Sequence, residues 1–65
     1  MRIFNELKTM RLAKNVTQEE LGDAVGVSRQ TIIAIEKGNY TPSLALAMQL
    51  AKFFKVTVEE LFTLK

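Results

Sequence analysis

The tetrapeptide TQEE at Thr17–Glu20 is matched forty residues later by TVEE at Thr57–Glu60, and each is a signal to begin a helix. A threonine hydroxyl can accept from the backbone N–H three residues on, while the glutamate there reaches back to the threonine N–H; two unpaired donors are satisfied together. Two further starts lie between the boxes. Ser28 follows a turn, and Thr41-Pro42 suits a first helical turn because the donor that proline lacks would be unpaired anyway. Asn15, Gly26 and Gly38 are residues that end helices. Helices are thus predicted at 2–14, 18–25, 28–37, 42–55 and 58–63, the first supported by the helical spacing of Ile3, Leu7 and Met10 with Phe4 and Leu12. Two-residue alternation is weak throughout, so the predicted fold class is all-α.

The segment 42–55, PSLALAMQLAKFFK, is apolar around most of its circumference. Leu44, Ala47, Met48, Leu50, Ala51 and Phe54 form the broad face predicted to lie in the core, opposite a narrow polar stripe of Gln49, Lys52 and Lys55. Leu46 and Phe53 fall on a flank, where they either cover a neighbouring helix or meet a partner.

The 65 residues are read as one domain, 1–65, and a domain this small buries only about 60% of its unfolded surface. Cysteine and histidine are both absent, which removes disulfides, thiolate ligands and nucleophiles, and the commonest metal ligand and general base. The carboxylate pairs Glu19-Glu20 and Glu59-Glu60 are accounted for by helix starts. No catalytic residue, metal site or cofactor is therefore assigned, and an enzyme is not expected. MRIFNELK has neither the apolar run nor the cleavage site of a signal peptide, and no stretch approaches the roughly 18 apolar residues of a membrane span; the expectation is a cytoplasmic protein with no membrane partner.

Net charge is +2 with a pI near 9.2. Residues 1 to 16 hold Arg2, Lys8, Arg11 and Lys14 against Glu6, whereas 17 to 26 hold Glu19, Glu20 and Asp23 with no base. An anion attracted by this chain must meet a particular face.

Helices 18–25 and 28–37, joined by a short turn, have the form of a helix-turn-helix. Leu21 and Val25 share one face of the first, Ile32 and Ile35 one face of the second, and Val27 completes an apolar seam. Gly22 permits close approach and Gly26 permits the turn. With Ile32 at zero on the helical wheel, Glu36 falls beside it at about 40°, while Gln30, Ala34 and Lys37 lie at about 140° to 200°, and Arg29 and Ile33 lean to that outward side. Arginine can fork onto O6 and N7 of guanine, and glutamine onto N6 and N7 of adenine; Ile33 could meet a thymine methyl.

The run "TQEEL…VGVSRQTI…IEKG…PSL", within Leu7 to Phe62, resembles the lambda-repressor-like domain of the Cro and phage-repressor type, in the xenobiotic-response-element group of bacterial regulators. That resemblance implies a compact five-helix fold with the helix-turn-helix in helices 2 and 3, and a sequence-specific DNA-binding transcriptional regulator. It further implies a homodimeric repressor reading a palindromic operator in double-stranded DNA. By position, Ser28, Arg29, Gln30, Ile33 and Ala34 would face bases. Thr17, Gln18, Thr31, Lys37, Gly38, Asn39 and Tyr40 would contact phosphate. Arg11 and Glu36 would form a structural ion pair, and Tyr40, Leu46, Phe53, Phe62 and Leu64 are candidates for the dimer interface. Gly22 departs from the family's more usual alanine. No small-molecule effector is evident, and an antitoxin-like or adaptor module with secondary DNA binding is the alternative.

Overall fold

The computed structural model of the chain describes residues 1–65 and contains five helices and two short strands. In chain order these are β1 (Ile3–Asn5), α1 (Leu7–Ala13), α2 (Gln18–Val25), α3 (Arg29–Glu36), α4 (Leu44–Phe54), α5 (Val58–Leu61) and β2 (Phe62–Leu64). Both capping boxes form. The Glu20 N–H donates to Thr17 Oγ1 at 3.0 Å and the Thr17 N–H to Glu20 Oε1 at 2.9 Å; the same reciprocal pair joins Thr57 and Glu60 at 3.1 and 2.8 Å. Ser28 caps α3 by accepting from the Thr31 N–H.

The all-α expectation is corrected at both ends of the chain. Residues 3–5 do not continue α1 but pair antiparallel with 62–64, in the register Ile3↔Leu64, Phe4↔Thr63 and Asn5↔Phe62, and α5 stops at Leu61. Helical spacing in Ile3 and Phe4 is a weak local preference, outweighed by ladder bonds to a strand distant in sequence. Arg2 and Lys65 extend the pairing by exchanging backbone hydrogen bonds of 2.7 and 2.8 Å. Asn5 closes the ribbon onto the helices: its Oδ1 accepts from the Leu7 N–H at the start of α1, and its Nδ2 donates to the Ile35 carbonyl near the end of α3.

α4 begins later than predicted, at Leu44, because Ser43 is the cap, its hydroxyl accepting from the Leu46 N–H; Pro42 precedes the helix. Its buried side is also rotated from the predicted one. Leu46, Ala47, Leu50 and Ala51 are buried, whereas Leu44 and Met48 are 74% and 56% exposed. A helix apolar around most of its surface does not by itself declare which stripe faces inward. The core is built on Leu7, Leu21, Ile32, Ile35, Leu50 and Leu61, each fully buried, so every helix contributes a side chain. Complete burial of such a side chain contributes about 1.5–3 kcal/mol, which makes this cluster the main restraint on how α3 is held.

Candidate nucleic-acid interface

α2 and α3 are set against each other by the seam predicted for them. Leu21, Val25, Ile32 and Ile35 belong to one buried cluster, and Val27 packs on it from the turn. The chain reverses at Gly26, whose φ of 78° is left-handed and costs glycine nothing. Gly22 allows the approach: a Cβ there would lie 2.7 Å from the Val27 carbonyl oxygen, a contact that requires the turn backbone to move. Its own carbonyl accepts from the Val27 N–H at 2.9 Å.

With Ile32 and Ile35 buried, the outward side of α3 is determined. Ser28, Arg29 and Gln30 are exposed at its start, and Thr31, Ile33 and Ala34 are half-buried. The Ser28 and Thr31 hydroxyls lie 3.1 Å apart, so both are engaged with each other at the head of the helix. Lys37, Gly38, Asn39 and Tyr40 are exposed beyond its end, where Gly38 is left-handed at φ 80°. The Gly38 and Asn39 N–H groups bond back to the Ile35 and Ala34 carbonyls, which ties that loop to the last turn.

Glu36 faces inward. Its Oε2 accepts from Arg11 Nε at 2.6 Å and its Oε1 from Arg11 Nη2 at 3.2 Å, with 9% and 4% of the two side chains exposed. Arg11 Nη1 also donates to the Val16 carbonyl. The hydrogen bond to Glu36 holds the Arg11 guanidinium above its ordinary pKa, against the opposing effect of burial. Gln18 joins this group: its Nε2 donates to Glu36 Oε1 at 3.1 Å, so its side-chain amide ties the start of α2 to the end of α3. Thr17 spends its hydroxyl on the capping box, and the backbone N–H of Thr17 holds the Glu20 carboxyl below its usual range.

Two open concavities flank α3. One brings Lys8 and Asn15 to Thr17 and Gln18 at the start of α2 and to Arg29 at the start of α3. The other brings Arg2 and Asn5 to Lys37, Gly38 and Thr41 at the end of α3. Sequence reasoning assigns no site role to Lys8, Asn15, Arg2 or Asn5. The clustering of Arg2 and Lys8 among early basic residues is the only signal, and it carries no position in space.

Of the five residues predicted at a seam between copies, Tyr40 and Leu64 are exposed, Phe53 and Phe62 are half-buried against the core, and Leu46 lies within it at 7% exposure. Leu46 thus has little surface left for a partner. The exposed apolar side of α4 is formed instead by Leu44 and Met48, one turn apart. No helix is long and apolar enough to cross a membrane, and no group of three or more acidic side chains is placed to hold a metal ion.

The family model described as Helix-turn-helix matches residues 7–61. An uncharacterized helix-turn-helix-type transcriptional regulator of Methanocaldococcus jannaschii is 60% identical over 58 residues, covering 89% of this chain and 88% of that protein. The cryptic phage CTXphi transcriptional repressor RstR of Vibrio cholerae is 35% identical over 57 residues, 88% of this chain and 51% of that protein. Among solved structures, the restriction-modification controller protein C.AhdI from Aeromonas hydrophila superposes with a TM-score of 0.78 at 29% identity, over 85% of this chain and 83% of that one.

Proposed function

The chain belongs to the helix-turn-helix family of transcriptional regulators, and from that premise we propose that α2 and α3 are its helix-turn-helix and that a homodimer reads a palindromic operator with α3 in the major groove. Its relatives are named as a transcriptional regulator and a transcriptional repressor, not as enzymes. The observation that carries the assignment is the division of α3: Ile32 and Ile35 are fully buried while Arg29 and Gln30 are exposed at its amino end. The two side chains able to fork onto base edges are therefore presented by a helix that its own core holds rigid.

In this reading Ser28, Arg29, Gln30, Ile33 and Ala34 face the bases. Thr17, Gln18, Thr31, Lys37, Gly38, Asn39 and Tyr40 contact the sugar-phosphate chains on either side. Gln18 does so from a side chain already engaged with Glu36, so its contribution is to aim the backbone donors at the start of α2, where an anion is favoured. One recognition helix touches only a few base pairs, and each good bidentate contact discriminates by about 1–3 kcal/mol. A two-fold pair of subunits doubles that discrimination across half-sites about 34 Å apart. Tyr40 and Leu64, with Leu44 and Met48 beside them in exposure, are the apolar side chains proposed to be covered on dimerisation. Repression follows when the occupied site overlaps a promoter.

The test is selection of bound duplexes from random DNA, followed by titration of the selected site with the Arg29→Ala plus Gln30→Ala variant. A palindrome is expected, together with a variant that binds selected and scrambled duplexes alike and keeps its circular dichroism. Full discrimination by the folded double variant would show that α3 does not read the bases through these residues.

A further inference from the structure

The ribbon carries a charged face outside the helix-turn-helix. Because side chains alternate along an extended chain, Arg2, just before β1, and Phe4 of β1 share one face with their partners Lys65, just after β2, and Thr63. On that face the Arg2 guanidinium carbon lies 5.5 Å and the Lys65 ammonium 5.3 Å from the centre of the Phe4 ring, so one aromatic side chain holds two cations. Asn5 then fixes where the face lies, through its bond to the Ile35 carbonyl, beside the end of α3. There Arg2, Phe4 and Lys37 line one concavity of about 430 Å³. Glu36 borders it too, but both its oxygens are occupied by Arg11 and Gln18. The only ion pair of the chain is Arg11–Glu36, so Arg2, Lys37 and Lys65 have no carboxylate partner.

We propose that this ribbon face is a phosphate-contact site, in which Arg2 and Lys65, held on Phe4, join Lys37 to grip the sugar-phosphate chain that passes the carboxyl-terminal end of α3. The inference rests on α3 being the recognition helix. Like charges gathered without partners cost energy unless an anion meets them, and a guanidinium fork matches a pair of phosphate oxygens. The concavity is open and lacks an apolar slot for a base, which suits a continuous phosphodiester chain better than a free nucleotide. The site adds affinity and orientation without reading sequence, as backbone contacts do. Phe4 acts as a positioning residue that keeps both cations extended toward the same strand of DNA.

The experiment measures affinity against salt concentration for the selected duplex and for a scrambled duplex of the same length, with wild-type protein and with the Arg2→Gln plus Lys65→Gln variant. Removing one cation from a phosphate makes the slope of log affinity against log salt shallower by about 0.9, and the variant removes two per subunit, so a decrease of about 1.8 per subunit, or about 3.6 for the proposed homodimer, is expected. Both duplexes should weaken by the same factor, with circular dichroism and thermal melt unchanged. A folded variant with the wild-type slope overturns the proposal, and so does a loss of discrimination at an unchanged slope. The charge-preserving Arg2→Lys plus Lys65→Arg variant is expected to keep the wild-type slope; if its slope falls as that of the glutamine variant does, the effect is structural and the assignment falls. Wild-type binding that ignores salt on every duplex would instead remove the DNA-binding reading itself.

Discussion

Arg11 on α1 and Glu36 on α3 stand 25 residues apart in sequence and meet through two hydrogen bonds, both side chains almost wholly shielded from water. The pair ties the first helix to the end of the proposed recognition helix, with Gln18 as a third member. A buried pair of this kind adds little over an apolar contact of equal volume, but removal of one partner leaves an uncompensated charge, at about 3–5 kcal/mol. A 65-residue domain has a total stability of only about 3–10 kcal/mol. Glu36→Ala is therefore expected to lose about 3–5 kcal/mol, a large share of that total, and Glu36→Gln, which keeps one acceptor for Arg11, to fall between it and wild type. Urea denaturation of the three proteins checks the order; an alanine variant within about 1 kcal/mol of wild type would mean that the pair is solvated in solution.

Gly22 faces the turn at a distance where no side chain fits without displacement of backbone. Alanine regains up to about 1 kcal/mol of helix propensity, which offsets part of the strain of its Cβ. Valine has no such compensation, and overpacking of this kind costs about 1–3 kcal/mol. Gly22→Val should therefore lose about 3 kcal/mol, the upper end of that range, because β-branching adds to the clash, while Gly22→Ala loses clearly less. Equal melting temperatures for the two variants would refute this account of the α2–α3 approach.

The Glu20 carboxyl is held below its usual pKa by the Thr17 N–H. A carboxyl whose folded-state pKa is depressed stabilises the fold above its unfolded value and loses that contribution as pH falls through the folded one. The α2 capping box should therefore weaken on acidification below the ordinary glutamate range, near pH 4.3 to 4.5. Glu20→Gln removes that titration, so the stability difference between wild type and variant should shrink as pH is lowered from about 7 toward about 3. A difference that is constant with pH would show that the box contributes no charge-dependent stability.

Leu44 and Met48 leave an apolar stripe on α4 in water. If it is covered in the proposed homodimer, Leu44→Glu plus Met48→Glu should sediment as a monomer, fold as before, and bind a single half-site as weakly as it binds the palindrome. A double variant that remains dimeric would move the seam to another part of the surface.

What can be read from sequence here is what short stretches decide among themselves. The capping boxes at Thr17 and Thr57 and the cap at Ser28 are bonds between residues three apart, and each forms where expected. The outward aim of Arg29 and Gln30 follows because Ile32 and Ile35 can only be anchors. The ribbon is illegible because a three-residue strand carries no periodicity of its own, and its reason for being extended lies at the other end of the chain. The buried stripe of α4 is equally hidden, since Leu44 and Leu46 differ only in what surrounds them. The Gln18 bond to Glu36 and the placing of Arg2 by Asn5 depend on such distant meetings, which is why the flanks of the site emerge only in three dimensions.

The ribbon also bears on how the chain would respond to being pulled. Arg2 and Lys65 are partners at the open end of the antiparallel pair, so tension applied to the two termini falls on their mutual bonds before any others. Load in that direction opens a ladder one rung at a time, as a zip opens, and does not shear all the rungs together. The strands would part at low force, and only then would the strain reach Asn5 and its hold on the last turn of α3.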